Sequence, residues 1–184
     1  MAFTTSVERI MRDYESKRAE LIEQRDNPAP NERYSNPDIV AAINAEAAKE
    51  INAQIDQLTV DSSAEIQAEL DGYMASLKAR YTKTPDNVDA TDLALLSGAV
   101  KLTKQDVEAM FERNAGNPAM QQIVVDYNHE HELGADVVFY GQEMREDAAR
   151  NYAVGAMQCI KNPDSLQWAF YVDGKAVPPC LVGE

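Results

Sequence analysis

The sequence predicts an all-α protein: a long antiparallel helical hairpin, coiled-coil-like but not heptad, then a small cluster of short helices and a C-terminal β-hairpin or mobile tail. Three observations carry that expectation. Between Pro37 and Tyr81 there is no second proline and one glycine, Gly72, in a stretch rich in Ala, Glu and Gln, residues that lose little on entering a helix. An apolar stripe runs through that stretch at helical spacing. Capping signals then recur every ten to twenty residues through the second half of the chain.

The first helix is expected to start at Thr4-Thr5-Ser6, whose hydroxyls can accept from free amides, with Glu8 near the positive end of the helix dipole. Val7, Ile10, Met11, Tyr14, Leu21 and Ile22 form its apolar face. The stems of Lys17 and Arg18 can cover apolar surface between them. The helix should stop near Asp26, because Pro28 and Pro30 enforce a loop, and Asn36-Pro37 then reads as an N-cap followed by proline at the first helical position.

Along the second helix, positions 40, 43, 47, 51, 55, 58, 62, 66, 70, 73, 77 and 81 are apolar except for Ser62. Their spacing is 3-4-4-4, about 3.75 residues per turn, so a long pairing would be straight or weakly right-handed. A strict heptad from position 40 would place Glu50, Gln54, Gln57 and Asp61 in the seam. The heptad reading fails on those four residues. A break is conceivable at 59–63, where Ser62 and Glu65 have capping-box spacing, but the stripe keeps phase across it, which favours a continuous or kinked helix.

Length poses a question. At 1.5 Å per residue, positions 37 to 81 run about 67 Å, against about 33 Å for positions 5 to 26. In a short-looped hairpin, the far half of the stripe has no partner in the first helix. Either the C-terminal region of the chain covers it, or another chain does, or the helix breaks; for the second case Ile55, Leu58, Ile66, Leu70, Tyr73, Leu77 and Tyr81 are the candidate self-association stripe.

The hairpin is assigned to 1–82, a linker to 83–90, a small helical unit to 91–162 and the tail to 163–184. Thr91 is expected to cap a turn through Leu93, Leu95 and Leu96 that stops at Gly98. Thr103, with Asp106 three residues on, caps a helix bearing Val107, Met110 and Phe111. Asn117-Pro118 starts the next, with Met120, Ile123, Val124 and Tyr127 on its inner face and Gly134 as its stop. Asp136 is expected to cap the last, with Val137, Tyr140, Met144, Ala148, Tyr152 and Cys159 in phase. In the tail, Asp173-Gly174 between apolar runs reads as a hairpin turn. Trp168, Phe170 and Tyr171 form a candidate docking element, either onto the chain itself or onto a partner, since aromatics carry much interface energy.

A net charge of −14 with no basic stripe argues against direct nucleic-acid or acidic-membrane binding. No apolar run is long enough to span a bilayer, and the first residues lack the apolar core of an export signal. Cys159 and Cys180, the two cysteines, read as reduced thiols in a cytoplasmic setting, with a bridge between them as the alternative.

Catalytic signals are sparse. Both histidines fall in Asp126-Tyr127-Asn128-His129-Glu130-His131-Glu132. On a helix, His129 and His131 point to different faces. Asp126 with His129 has the spacing of half a carboxylate-bridged metal site, and no histidine is left for the other half. No phosphate loop, nucleophile elbow or C-x-x-C occurs. The sequence thus predicts a non-enzyme without cofactor or metal, and a metal-dependent enzyme at the histidines is the weakest alternative.

Residues 94–133 add a resemblance. The run Leu95-Leu96-Ser97-Gly98-Ala99-Val100-Lys101-Leu102-Thr103, the helix at Asp106, and Gly116-Asn117-Pro118-Ala119-Met120 leading to Val125-Asp126-Tyr127 resemble a pattern in uncharacterised helical proteins encoded among the head-assembly genes of tailed phages and prophages. There, too, a long charged helix precedes the pattern. The resemblance implies a phage structural or assembly factor, a homo-oligomer or a companion of other phage structural proteins, in the bacterial cytoplasm or associated with the virion. The alternative is an acidic helical module, an adaptor or nucleic-acid mimic, that engages a basic partner.

Overall fold

The computed structural model describes residues 3–28, 36–84, 86–163, 170–172 and 175–177. These residues form an all-α protein with six α-helices. They are α1 (Phe3–Asp26), α2 (Pro37–Tyr81), α3 (Ala90–Ala94), α4 (Lys104–Arg113), α5 (Pro118–Glu130) and α6 (Gln142–Lys161). In the tail, β1 (Phe170–Val172) pairs antiparallel with β2 (Lys175–Val177), Phe170 opposite Val177. The Asp173-Gly174 turn, Trp168 and Cys180 lie outside the described residues.

Helix α2 is continuous through residues 59–63. Two hydroxyls of that stretch bond back along the helix: Thr59 Oγ1 donates to the Ile55 carbonyl at 2.9 Å and Ser63 Oγ to the Thr59 carbonyl at 2.7 Å. In this way they satisfy themselves without leaving the helical path.

Two compact units divide the chain, and their boundaries fall inside α2 and α6, not in the 83–90 linker. The first comprises α1, α2 up to Asp71, and the chain from Ala149 onward. Its core is Phe3, Val7, Ile10 and Tyr14 of α1, Ile66 and Leu70 of α2, and Tyr152, Cys159 and Ile160 of α6. Ala149, Ala153, Gly155 and Ala156 are buried on the same face of α6, and their small side chains let helices approach closely. The rings of Phe3 and Tyr152 meet edge-on, centroids 5.9 Å apart. The return of α6 to α1 is what moves its C-terminal half out of the expected 91–162 unit.

The second unit spans Gly72–Ala148, around Leu102, Val107, Met110 and Val124. Its caps are mostly those expected. Thr103 and Asp106 form a capping box, and Asn117 accepts from the Met120 amide ahead of Pro118. The cap of α3 differs: Asp89, not Thr91, accepts from the amides of Thr91 and Asp92. A wider helical turn, Leu95–Ala99, follows and stops at Gly98, whose φ of +91° suits glycine. The linker is stitched to its neighbours. Asn87 donates to the carbonyls of Ala79 and Thr82, both at 2.9 Å, closing the end of α2, and accepts at its own carbonyl from Asn117 at 2.8 Å.

The expected start of the last helix at Asp136 is corrected. Residues 133–141 form no helix; Gly134 turns the chain at φ +66°, and exposure alternates as along an extended chain, with Leu133, Ala135, Val137, Phe139 and Gly141 half-buried and Gly134, Asp136, Val138 and Tyr140 exposed. The run Val137-Val138-Phe139-Tyr140 is β-branched and aromatic, a composition that favours an extended chain over a helix. Polar side chains then hold it. Asn128 brackets Ala135, accepting from its amide at 2.9 Å and donating to its carbonyl at 3.4 Å. The Asp136 amide donates to Glu108 Oε1 at 3.0 Å. Tyr81 donates to the Tyr140 carbonyl at 2.7 Å, and Phe139 packs between the rings of Tyr81 and Phe111.

Candidate self-association surface

The stripe on α2 is buried over its second half. Ser62, Ile66, Leu70, Leu77 and Tyr81 are buried and Tyr73 is half-buried, all at the expected phase. This corrects the candidate self-association stripe. Ile66, Leu70, Leu77 and Tyr81 are used inside the chain and present no surface to a partner. Ile55 and Leu58 are half-buried.

The open part of the stripe lies at the other end. No residue of α2 from Pro37 to Asp61 is buried, and Ile39 and Ile43 are 44% and 36% exposed. Val40, Ala47 and Ile51 are half-buried. Two contacts show how far α1 reaches along α2. Tyr14 Oη lies 3.3 Å from Thr59 Oγ1, and Arg25 Nη1 donates to Asn52 Oδ1 at 3.2 Å. Since α1 ends at Asp26, its last turn is level with residues near 52, and α2 before that point continues beyond it. Ion pairs on this stretch are exposed, Lys49 with Glu46 at 3.4 Å.

A cleft of about 500 Å³ runs beside α1 and the end of α6, with walls that include Met11, Ala19, Ile22 and Ile160. Glu15 also lines it, and partial burial pushes its carboxyl above the usual range, against a smaller lowering by the Arg12 guanidinium. Sequence reading had no access to this feature, because its walls come from opposite ends of the chain. Cys159 is a free, buried thiol bordering it.

The histidines stand apart from any such environment. His129 and His131 are exposed at the end of α5, where the ring of His131 lies tilted against that of Tyr127 with centroids 4.1 Å apart. Asp126 is engaged by Gln122 at 2.7 Å and by Lys83 at 3.4 Å. Among the described residues, no group of three or more His, Cys, Asp or Glu side chains is arranged to hold a metal ion. No helix among them is long and apolar enough to cross a membrane. Of the candidate docking tail, Phe170 and Tyr171 lie on β1, opposite Val177 and Ala176.

Compared with protein-family models, curated proteins and solved structures, the chain matches none.

Proposed function

We propose that this protein is a non-enzymatic structural or assembly factor of the phage-head type, which self-associates through α2 and works in the bacterial cytoplasm or on the virion. The observation that carries the self-association is the bare N-terminal part of α2. Its apolar stripe continues over residues 40–58 without one buried side chain, and exposed apolar surface along a helix favours association. We read α1 and α2 as an antiparallel hairpin, supported by the pairs Tyr14–Thr59 and Arg25–Asn52, in which α2 numbers fall as α1 numbers rise. Trp168, Phe170 and Tyr171 are then a second docking element on the tail. The phage assignment rests on the resemblance of residues 94–133.

Light scattering from about 10 to 200 μM tests this reading. A mass that rises above one chain is expected, and a strict monomer over the whole range removes self-association.

The acidic-module reading draws on the −14 net charge. It requires a basic partner whose binding is lost as salt screens exposed carboxylates; salt-independent self-association favours the first reading.

A further inference from the structure

We propose that the cleft between α1 and the end of α6 binds a small cationic amphiphile, an ammonium head on an apolar body. This goes beyond the self-association reading and does not depend on it. The cleft exists because α6 stops halfway along α1. Phe3 meets Tyr152 and Tyr14 meets Ile160, so residue numbers rise together and α6 runs parallel to α1. It ends at Lys161, just past the level of Tyr14. About twelve residues of α1, roughly 18 Å of helix, continue beyond it to Asp26.

The angle left between them is largely apolar. Met11, Glu15, Ala19 and Ile22 follow one another on one face of α1, and Ile160 closes the end of the cleft. At about 500 Å³, the space is of the size that takes small molecules. Its walls suit an aliphatic or aromatic body, and the charges on them select the head.

Three carboxylates, Glu15, Glu23 and Asp26, line the cleft against one guanidinium, Arg18. Asp26 is already held by Arg25 at 2.8 Å. Glu15 has no hydrogen-bond partner among the described residues. Arg12, whose charge acts on Glu15, pairs with Glu8 at 3.7 Å, and Lys161 is exposed and does not line the cleft. Partial burial raises the Glu15 carboxyl, as befits a charge that has lost water without gaining a partner. The helix ends act in the same sense. The C-terminus of α6 opens beside Glu15 and that of α1 lies at the far end of the cleft, and each carries a partial negative charge. A carboxylate head would be repelled there. An ammonium beside Glu15 makes a charge-assisted hydrogen bond, and its apolar body then lies over Ala19 and Ile22.

The test is calorimetric titration of the full chain with n-octylammonium, n-octanoate and n-octanol, each below its aggregation concentration. One n-octylammonium per chain is expected, saturable and at least tenfold tighter than n-octanoate. Glu15→Gln should weaken n-octylammonium at least fivefold and leave n-octanol unchanged. Ala19→Trp, at an exposed position, should abolish binding with helicity by circular dichroism unchanged. Glu20→Gln removes a carboxylate from α1 outside this cleft and should change nothing, which separates the site from the general attraction of an acidic protein for cations. Equal affinity for n-octanoate and n-octylammonium overturns the cationic head. Unsaturable binding, or binding that survives Ala19→Trp, overturns the site, as does a full chain that binds no n-octylammonium. In that last case, a dimer weakened by Ala19→Trp would give the cleft to a second copy, and a monomer destabilised by it would give the cleft to the chain's own C-terminal residues.

Discussion

The phenol of Tyr14 donates a hydrogen bond to the backbone carbonyl of Ile160 at 2.9 Å, across 146 residues of chain. Ile160 lies in the last turn of α6, where helix carbonyls lack intrahelical donors. A side chain from the first helix thus supplies the cap that the last helix does not supply for itself. Both residues are buried, Tyr14 at 4% and Ile160 at 2% exposure. Tyr14→Phe keeps the ring in the core and withdraws the donor, leaving a buried carbonyl without this donor. The expected loss is about 1–2 kcal/mol, read as a lower urea midpoint at unchanged m-value. No change in midpoint would mean that another donor already serves the carbonyl.

This contact marks where the sequence stops being informative. The limits of α1 and α2, the phase of the α2 stripe and the caps at Thr103–Asp106 and Asn117–Pro118 were legible, because each depends on residues within one or two helical turns. Which half of the stripe is covered was not. That depends on how far α1 slides along α2 and on α6 returning to α1, and neither leaves a local trace. The extended segment was misread because Val137, Tyr140 and Met144 share helical spacing with Ala148 and Tyr152, although Val137-Val138-Phe139-Tyr140 was itself a strand-like run. Asn128, which holds Ala135, gave no signal beyond being a polar residue on the inner side of α5.

A second long-range polar contact went unseen for the same reason. Asp92 is 3% exposed, ion-paired with Arg113, and accepts from Asn114 Nδ2 at 2.7 Å. The same Asn114 nitrogen donates to the Met110 carbonyl at 2.9 Å, so the group ties α3 to the end of α4. Asp92→Ala strips the carboxylate from a buried amide and from Arg113, with an expected loss of about 2–4 kcal/mol. Arg113→Ala should cost clearly less, because the guanidinium side chain is 62% exposed and the carboxylate keeps Asn114. Equal losses for the two variants, measured by urea denaturation, would contradict this ranking.

Acid should weaken the protein through its helix caps. The amides of Asp92 and Thr91 hold the Asp89 carboxyl below the usual range, and the Thr103 hydroxyl and amide do the same for Asp106. A depressed folded pKa means that the stabilisation is fully present above the unfolded value, near 3.9, and is lost as pH falls through the folded one. Asparagine caps helices without titrating. The double variant Asp89→Asn/Asp106→Asn should therefore show a shallower fall of melting temperature between pH 5 and pH 2.5 than the wild type. Glu15 has the opposite sign: its raised pKa makes ionisation unfavourable in the folded state, so the penalty develops as pH rises through the unfolded value. Glu15→Gln should remove that component at pH 7.

Two glycines should respond in opposite directions to one substitution. Gly72 sits inside α2, exposed, and a Cβ there meets nothing within 4 Å. Alanine at this position restricts the unfolded chain and favours the helix, so Gly72→Ala should stabilise by roughly 0.5–1 kcal/mol. Gly98 also has open space around its missing side chain, but its φ is +91°. There the backbone conformation decides the outcome, and Gly98→Ala should destabilise by about 1 kcal/mol or more. Since neither position offers a packing contact to gain or lose, the pair separates backbone strain from side-chain sterics. Thermal midpoints of the two variants moving the same way would show that the turn after Leu95–Leu96 relaxes to accept a side chain.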